Sequence, residues 1–312
     1  MVSSPLSKVI ISGATGWLGQ ELLACLEEEN SGRSPYEILA ISSRAQLLER
    51  PSGRSLITQT YDTLQSSDEV EGFVNLAFLT REKVAKIGYE EYVTRNLDLI
   101  SRACQIITIQ RPKWVVLVSS GAIFASKSND LETNILENPY GFLKRIEELL
   151  ISDAALKVGA NVVIGRLWGA TGRYMPINRA YAISDFISRG MAGEAIEIRS
   201  SSPVFRRFCD AGEFMNVLLK LAKSGETLTL DSGGPLVEIG DLAALVASHF
   251  SEAPVLRATP NNNLGDDYYP RSMDFENISE RLQISLSSID QQVRQTVYGH
   301  SKQAHVKRLK LL

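Results

Sequence analysis

The sequence predicts an α/β fold: a doubly wound parallel sheet with a smaller, interleaved C-terminal lobe. Three observations carry this. Short β-branched runs alternate with helix-like runs through the first half of the chain. The first of these runs closes on spaced glycines and passes into a leucine-rich segment. Beyond about Leu167 the alternation gives way to an irregular stretch richer in arginine, glycine and proline. Such alternation implies parallel strands joined by helical crossovers.

In chain order, Lys8 to Ser12 is a buried strand, the segment to Gly19 a tight turn, and Gln20 to Glu29 a helix. Gly13 permits the turn, Gly16 lets backbone amides approach a pyrophosphate, and Gly19 lets the helix pack closely on the sheet. Unpaired amides and partial positive charge at the helix start favour phosphate. Glu37 to Ile41, Gly72 to Ala77, Trp114 to Ser119 and Asn161 to Leu167 read as further strands, with helices over Glu90 to Ile107 and Pro139 to Lys157. Ligands of such sheets bind at the carboxyl ends of the strands. Ser42-Ser43-Arg44, Leu76-Ala77-Phe78 and Ser119-Ser120 are therefore expected to face one crevice. Residues 1–168 form the expected dinucleotide-binding domain. Residues 169–312 form mostly a substrate lobe, with segments returning to the sheet.

Composition narrows the function. A chain of 312 residues, 44% hydrophobic, has ample core. A formal net charge of −3, with no long basic block, gives no reason to propose nucleic acid as a partner. Cys25, Cys104 and Cys209 are far apart and lack metal-ligand spacing, so no metal site is expected, and buried thiols in a reducing compartment are. No stretch is apolar enough to span a bilayer, and the first strand begins too early for a signal peptide. A cytoplasmic protein is expected.

The candidate chemistry lies at Tyr140 and Lys144. Four residues apart at a helix start, the phenol and ammonium share one face. A neighbouring cation stabilises phenolate and lowers a tyrosine pKa, making the phenol usable as an acid or base. Ser120, ending the preceding strand, would donate a hydrogen bond to a substrate carbonyl. A second Tyr-x-x-x-Lys, Tyr298 to Lys302, has no strand behind it to supply a serine and is assigned to chance.

Together these residues resemble the extended short-chain dehydrogenase/reductase family, in its nucleotide-sugar epimerase, dehydratase and reductase branch. Ser12-Gly13-Ala14-Thr15-Gly16-Trp17-Leu18-Gly19 resembles the family's phosphate loop, and Val74-Asn75-Leu76-Ala77 the strand that usually reads His-Leu-Ala-Ala. Asn96 matches an asparagine of the next helix. Val118 to Phe124 resembles the catalytic serine segment, in which Ser120 rather than Ser119 is the match. Glu132 through Lys144 resembles the run into the active-site helix. Arg206-Arg207-Phe208 resembles a motif whose arginine grips a nucleotide diphosphate, and Tyr268 to Val297 the closing helices. The resemblance implies a Rossmann sheet with the cofactor on Gly13, Thr15, Gly16, Trp17, Leu18, Ser43, Arg44, Leu76, Ala77, Tyr140 and Lys144. It implies catalysis by Ser120, Tyr140 and Lys144, substrate on Ser120, Arg173 and Arg206, and a homodimer built on the helices Glu90 to Ile107 and Pro139 to Lys157. Two departures stand out. Gly169 replaces an asparagine and Arg173 a proline in the segment from Arg166, and the run after Arg206 is reduced to Asp210-Ala211-Gly212-Glu213.

The second strand ends in Ser42-Ser43-Arg44, where NAD sites usually present a carboxylate to the ribose. Hydroxyls and an arginine suit a 2′-phosphate, so NADP is expected, with NAD the alternative. Arg44 otherwise points only to water. Asp62 either reaches the adenine or sits in a solvated turn. Gly121-Ala122 replaces the Asp-Glu that dehydratases of the family place after the catalytic residue. The expected reaction is NADPH-dependent reduction of a nucleotide-linked 4-keto-6-deoxy sugar. The alternatives are a nucleotide-sugar 4-epimerase with NAD and a non-catalytic dinucleotide sensor.

Overall fold

The computed structural model describes residues 6–28, 34, 36–50, 53–64, 70–124, 130–177, 181–250, 253–257 and 266–309. The chain divides into two compact units: residues 1–167 with 214–230, and residues 168–213 with 231–312.

The first unit is built on strands β1 (Lys8–Ser12), β2 (Glu37–Ile41), β3 (Val70–Asn75), β4 (Trp114–Ser120), β5 (Asn161–Leu167) and β6 (Leu228–Asp231). Their spatial order is β6-β5-β4-β3-β1-β2. The pairs β1/β2, β1/β3, β3/β4 and β4/β5 are all parallel. The carboxyl ends of β1 to β4 therefore share one edge. β4 is buried along its whole length, as continuous Val/Leu runs demand of a central parallel strand.

Three helices matter to that edge: α1 (Trp17–Glu28), α2 (Tyr89–Gln110) and α3 (Pro139–Val158). α3 carries all its own stop and start signals. Asn138 caps it by accepting from the Gly141 amide at 3.0 Å, Pro139 opens it, and Gly159 ends it at φ +75°. Ala103, Ile106 and Ile107 of α2 and Ile151, Ala154 and Ala155 of α3 pack on Ile10, Phe73, Val115, Leu117 and Ile164 of the strands. The expected strand Gly72 to Ala77 begins and ends earlier, at Val70 and Asn75, so Leu76 and Ala77 leave the sheet as loop. The expected Trp114 to Ser119 strand runs one residue further, to Ser120.

In the second unit, Val204–Arg207 pairs with Leu236–Glu238 and Asp266–Asp267. Cys209–Asp210 pairs with Ala170–Thr171, and Ile196–Ile198 with Val255–Arg257. Helices Ala182–Ala192, Ile239–Ala247, Asp274–Arg281 and Ile289–Leu309 complete it around buried Ile183, Phe186, Leu242, Val246, Phe275 and Val293. The cysteines are free; Cys209 is buried, while Cys25 and Cys104 are only half-buried. Among the described residues no helix is long and apolar enough to cross a membrane, and no group of three or more His, Cys, Asp or Glu side chains is placed to hold a metal ion.

Candidate active site

The turn after β1 is held by its backbone. Gly13 adopts φ +74°, and a Cβ there would stand 2.7 Å from the Leu76 carbonyl carbon and 2.8 Å from the Ala77 amide. The glycine thus does two jobs: it supplies the left-handed conformation and lets the loop after β3 lie directly against the turn. Gly19 meets the Ala14 backbone, where a Cβ would lie 2.5 Å from its carbonyl oxygen. The close approach is that of the helix start to the turn directly after β1. The Gln20 amide bonds to the Gly16 carbonyl at 3.0 Å. The first-turn amides of Trp17 and Leu18 precede that bond and have no helical acceptor available to them. Gly16 is exposed, with Thr15, Trp17 and Leu18 half-buried.

At the end of β2, Ser42 is consumed structurally: its hydroxyl bonds the Arg44 carbonyl at 2.6 Å and Thr58 Oγ1 at 2.8 Å. Ser43 and Arg44 are exposed, and Arg44 Nε reaches Gln46 Oε1 at 3.4 Å. Asp62 pairs with Arg102 of α2 at 2.8 Å, so its carboxylate serves the helix surface.

After β3 the loop is pinned at Leu79. Its amide donates to Asn96 Oδ1 at 2.8 Å, and its carbonyl accepts from Tyr92 Oη at 2.8 Å. Both partners lie on α2 and are fully buried. The family-matched Asn96 therefore has a physical role, which is to fix the path of Leu76, Ala77 and Phe78.

Ser120, Tyr140 and Lys144 are all carried by the first unit. Ser120 Oγ accepts from the Ala122 amide at 3.2 Å, which leaves the hydroxyl's own hydrogen to donate. Tyr140 is half-buried in the first turn of α3, with the Phe78 ring edge-on at 5.8 Å between centroids. The segment leading to it is anchored by Glu132, which accepts from the Thr133, Asn134 and Asn138 nitrogens. Asn138 also donates to the Ala122 carbonyl at 3.0 Å, tying the start of α3 to the turn after Ser120.

Lys144 is buried. Its Nζ donates to the Val118 carbonyl at 2.9 Å and to Glu147 Oε2 at 2.8 Å, and it stands 4.1 Å from the Phe78 ring centroid. Glu147 accepts in turn from Asn75 Nδ2 at 2.8 Å, and Asn75 Oδ1 accepts from Ser12 Oγ at 2.5 Å. A continuous polar chain thus runs under the sheet edge from Ser12 to Lys144. Burial pushes the Glu147 carboxyl up, against the pull of Lys144. The sequence places Glu147 on this helix without assigning it a role. A signal is present all the same, since Lys144 and Glu147 are three residues apart and share a face.

In the second unit, Arg206 Nη1 bonds the Phe205 carbonyl at 2.8 Å, and its guanidinium lies 5.5 Å from the Tyr268 ring, which also packs on Trp168 at 4.8 Å. Arg173 is half-buried. A Cβ at Gly169 would overlap the Arg207 carbonyl oxygen, so the position that usually carries an asparagine has no room for one. Asp210 accepts from the Gly212 and Glu213 amides at 2.9 and 3.1 Å, capping the helix that follows. Lys302 lies over its own Tyr298 ring at 4.7 Å on an exposed face, so the second Tyr-x-x-x-Lys is a helix-surface pair.

A family model described as the NAD dependent epimerase/dehydratase family matches residues 9–231. The chain belongs to that family. UDP-glucuronic acid decarboxylase 3 of Arabidopsis thaliana is 25% identical over 143 residues, 45% of this chain and 40% of that protein. The match to this curated relative thus spans less than half of either chain. Among solved structures, MoeE5 in complex with UDP-glucose and NAD superposes with a TM-score of 0.72 at 18% identity, over 95% of this chain and 99% of that one. UDP-N-acetylglucosamine 4-epimerase from Methanobrevibacter ruminantium M1, in complex with UDP-N-acetylmuramic acid, gives 0.74 at 16% identity over 96% and 100%. At such identity these likenesses show a common fold. Within the epimerase/dehydratase family the Rossmann-type parallel sheet and the extended short-chain dehydrogenase/reductase resemblance read from the sequence both hold.

Proposed function

We propose that the protein is an NADPH-dependent reductase of a nucleotide-linked 4-keto-6-deoxy sugar. The observation that carries the reading is the end of β2, where Ser43 and Arg44 stand exposed and no carboxylate is present to repel a 2′-phosphate. The turn after β1 fits the rest of the dinucleotide: first-turn amides of Trp17 and Leu18 that have no intrahelical acceptor, with an exposed glycine beside them. The bound cofactor would supply a hydride to the keto carbon. Tyr140 would protonate the emerging alkoxide, Ser120 would hold the oxygen through its free hydrogen, and Lys144 would fix the phenol's electrostatic setting. Arg173 and Arg206 would take the substrate diphosphate. Gly121 and Ala122, buried directly after Ser120, offer no acid/base pair for elimination, which argues against a dehydratase.

One observation favours a second reading. UDP-N-acetylglucosamine and UDP-glucuronic acid 4-epimerases are among the proteins sharing the fold, the latter solved with NAD. A 4-epimerase would return its hydride and show no net oxidation.

The two are separated by one assay. Purified protein is given NADPH or NADH with a panel of nucleotide 4-keto and 4-hydroxy sugars, and nicotinamide absorbance is followed with product stereochemistry. Stoichiometric NADPH loss with a 4-keto substrate supports the reductase. Interconversion of 4-hydroxy sugars without cofactor loss replaces it with the epimerase. Phenylalanine at position 140 removes the proton donor and should cost about 10²–10⁴ in turnover, with cofactor affinity retained. Wild-type turnover in that variant would refute the role given to Tyr140.

We assign a homodimer to this reading. Leu97 and Ile109 on α2 and Leu149, Leu150 and Leu156 on α3 are exposed apolar side chains on the two helices expected to pair. A light-scattering mass of one chain would overturn it.

A further inference from the structure

Residues 42–46, which leave the end of β2, wrap around one buried hydroxyl, that of Thr58. Its Oγ1 accepts from the Gln46 amide at 3.1 Å and from Ser42 Oγ at 2.8 Å, and donates to the Arg44 carbonyl at 3.1 Å. Ser42 Oγ stands 2.6 Å from the same carbonyl, so two hydroxyls close on it together. The Thr58 amide donates to the Gln46 carbonyl at 2.9 Å. The antiparallel pair Leu47–Glu49 and Ser55–Ile57 returns the chain to this point. The next residue is stitched to the sheet: the Gln59 amide donates to the Ala40 carbonyl at 2.8 Å, and the Ser42 amide to the Gln59 carbonyl at 2.9 Å. Thr58 is thus a fixed post, and the loop is tied to it.

The outer side of the loop is different. Ser43 and Arg44 are exposed. Arg44 Nε meets Gln46 Oε1 at 3.4 Å, a contact that uses neither of the two terminal nitrogens through which a guanidinium can grip a phosphate. An exposed arginine turns about several bonds and holds an anion weakly unless the backbone beneath it is fixed.

We propose that Thr58 is a positioning residue for cofactor choice, its hydroxyl holding the loop in the path that presents Arg44 to a 2′-phosphate. The role rests on reading the end of β2 as a 2′-phosphate site. It places part of the selectivity on a fully buried side chain, 14 positions after the arginine. Without the hydroxyl, the Gln46 amide and the Arg44 carbonyl each lose a partner on their buried side, and the loop gains freedom.

The test is a pair of dissociation constants, for NADPH and for NADH, measured on each protein by nicotinamide fluorescence. Thr58→Val keeps the shape and removes the hydroxyl. NADPH affinity is expected to fall about tenfold, with NADH affinity held within about twofold, since NADH brings no 2′-phosphate to the loop. Thr58→Ser restores the hydroxyl and should recover the wild-type ratio of the two constants. In an Arg44→Met background, Thr58→Val should change the ratio no further, because a residue acting through the arginine has nothing left to act on. A threonine that serves packing alone would lower the melting temperature in Thr58→Val and weaken both cofactors alike. That result overturns the proposal.

Should Thr58→Val fail to fold, Ser42→Ala removes the other hydroxyl from the Arg44 carbonyl and should narrow the ratio about threefold. An unchanged ratio there overturns the proposal as well. A wild-type protein that binds NADH as tightly as NADPH refutes the cofactor reading, and the role of Thr58 with it. A wild type that prefers NADPH, and keeps that preference in Thr58→Val, refutes the role of Thr58 alone.

Discussion

Gly169 presses its backbone onto the Arg207 carbonyl oxygen so closely that no Cβ fits between them. The Cys209 amide also donates to the Gly169 carbonyl at 3.0 Å, so the two segments are joined on both sides of the contact. Reintroducing the asparagine usual in this position is therefore expected to harm the protein rather than restore a sugar contact. Gly169→Asn should lose about 1–3 kcal/mol from overpacking, seen as a lower denaturant midpoint at unchanged slope. A variant as stable as wild type would show that the strand separates readily.

The Asn138 cap should matter beyond helix stability. Asn138→Ala removes the bond from the Gly141 amide and also the link to the Ala122 carbonyl. The cap alone is worth about 1 kcal/mol. Because Tyr140 sits in that first turn, kcat should fall more than KM rises. Loss confined to KM would place the effect elsewhere.

Cofactor preference should follow Arg44. Arg44→Glu puts a carboxylate where NAD-selective members present one. NADPH affinity should fall at least about tenfold, with NADH affinity unchanged or improved, measured as separate dissociation constants. Equal loss for both cofactors would show that Arg44 does not meet the 2′-phosphate.

Stability should fall in mild acid through His300. Burial lowers its imidazole from 6.5 to about 4, so between those values the unfolded chain takes up a proton that the folded one refuses. Its contribution is complete above pH 6.5 and is lost as pH drops toward 4. His300→Leu should flatten that part of the melting-temperature profile; a profile parallel to wild type would count against the imidazole as its source.

The sheet and its edge are legible in the sequence because each strand announces itself. Trp114 to Val118 is an unbroken apolar run, and the Gly13 turn is written in residue types that have few other uses. Boundaries move by a residue or two where backbone geometry decides, as at Asn75, after which Leu76 and Ala77 belong to loop. The pairing of Lys144 with Glu147 is not legible, because helix spacing says that two side chains meet and cannot say that a buried amide from β3 will hold one of them there. The fate of Asp62 is equally hidden: its partner Arg102 lies 40 positions away. The crowding at Gly169 depends on a distant strand, so an asparagine-to-glycine departure looks like a lost contact when the structure gives it a steric cause.

The interleaving of the two units has a practical outcome for anyone seeking a minimal piece of this molecule. The chain passes from one unit to the other after Leu167, Glu213 and Leu230. A fragment stopped at Leu167 would lack edge strand β6 and would strip Phe214 and Leu218 from the surface over Gly165. Neither half is encoded as an uninterrupted stretch, and truncation libraries should yield aggregates where a tandem-domain protein would yield soluble halves.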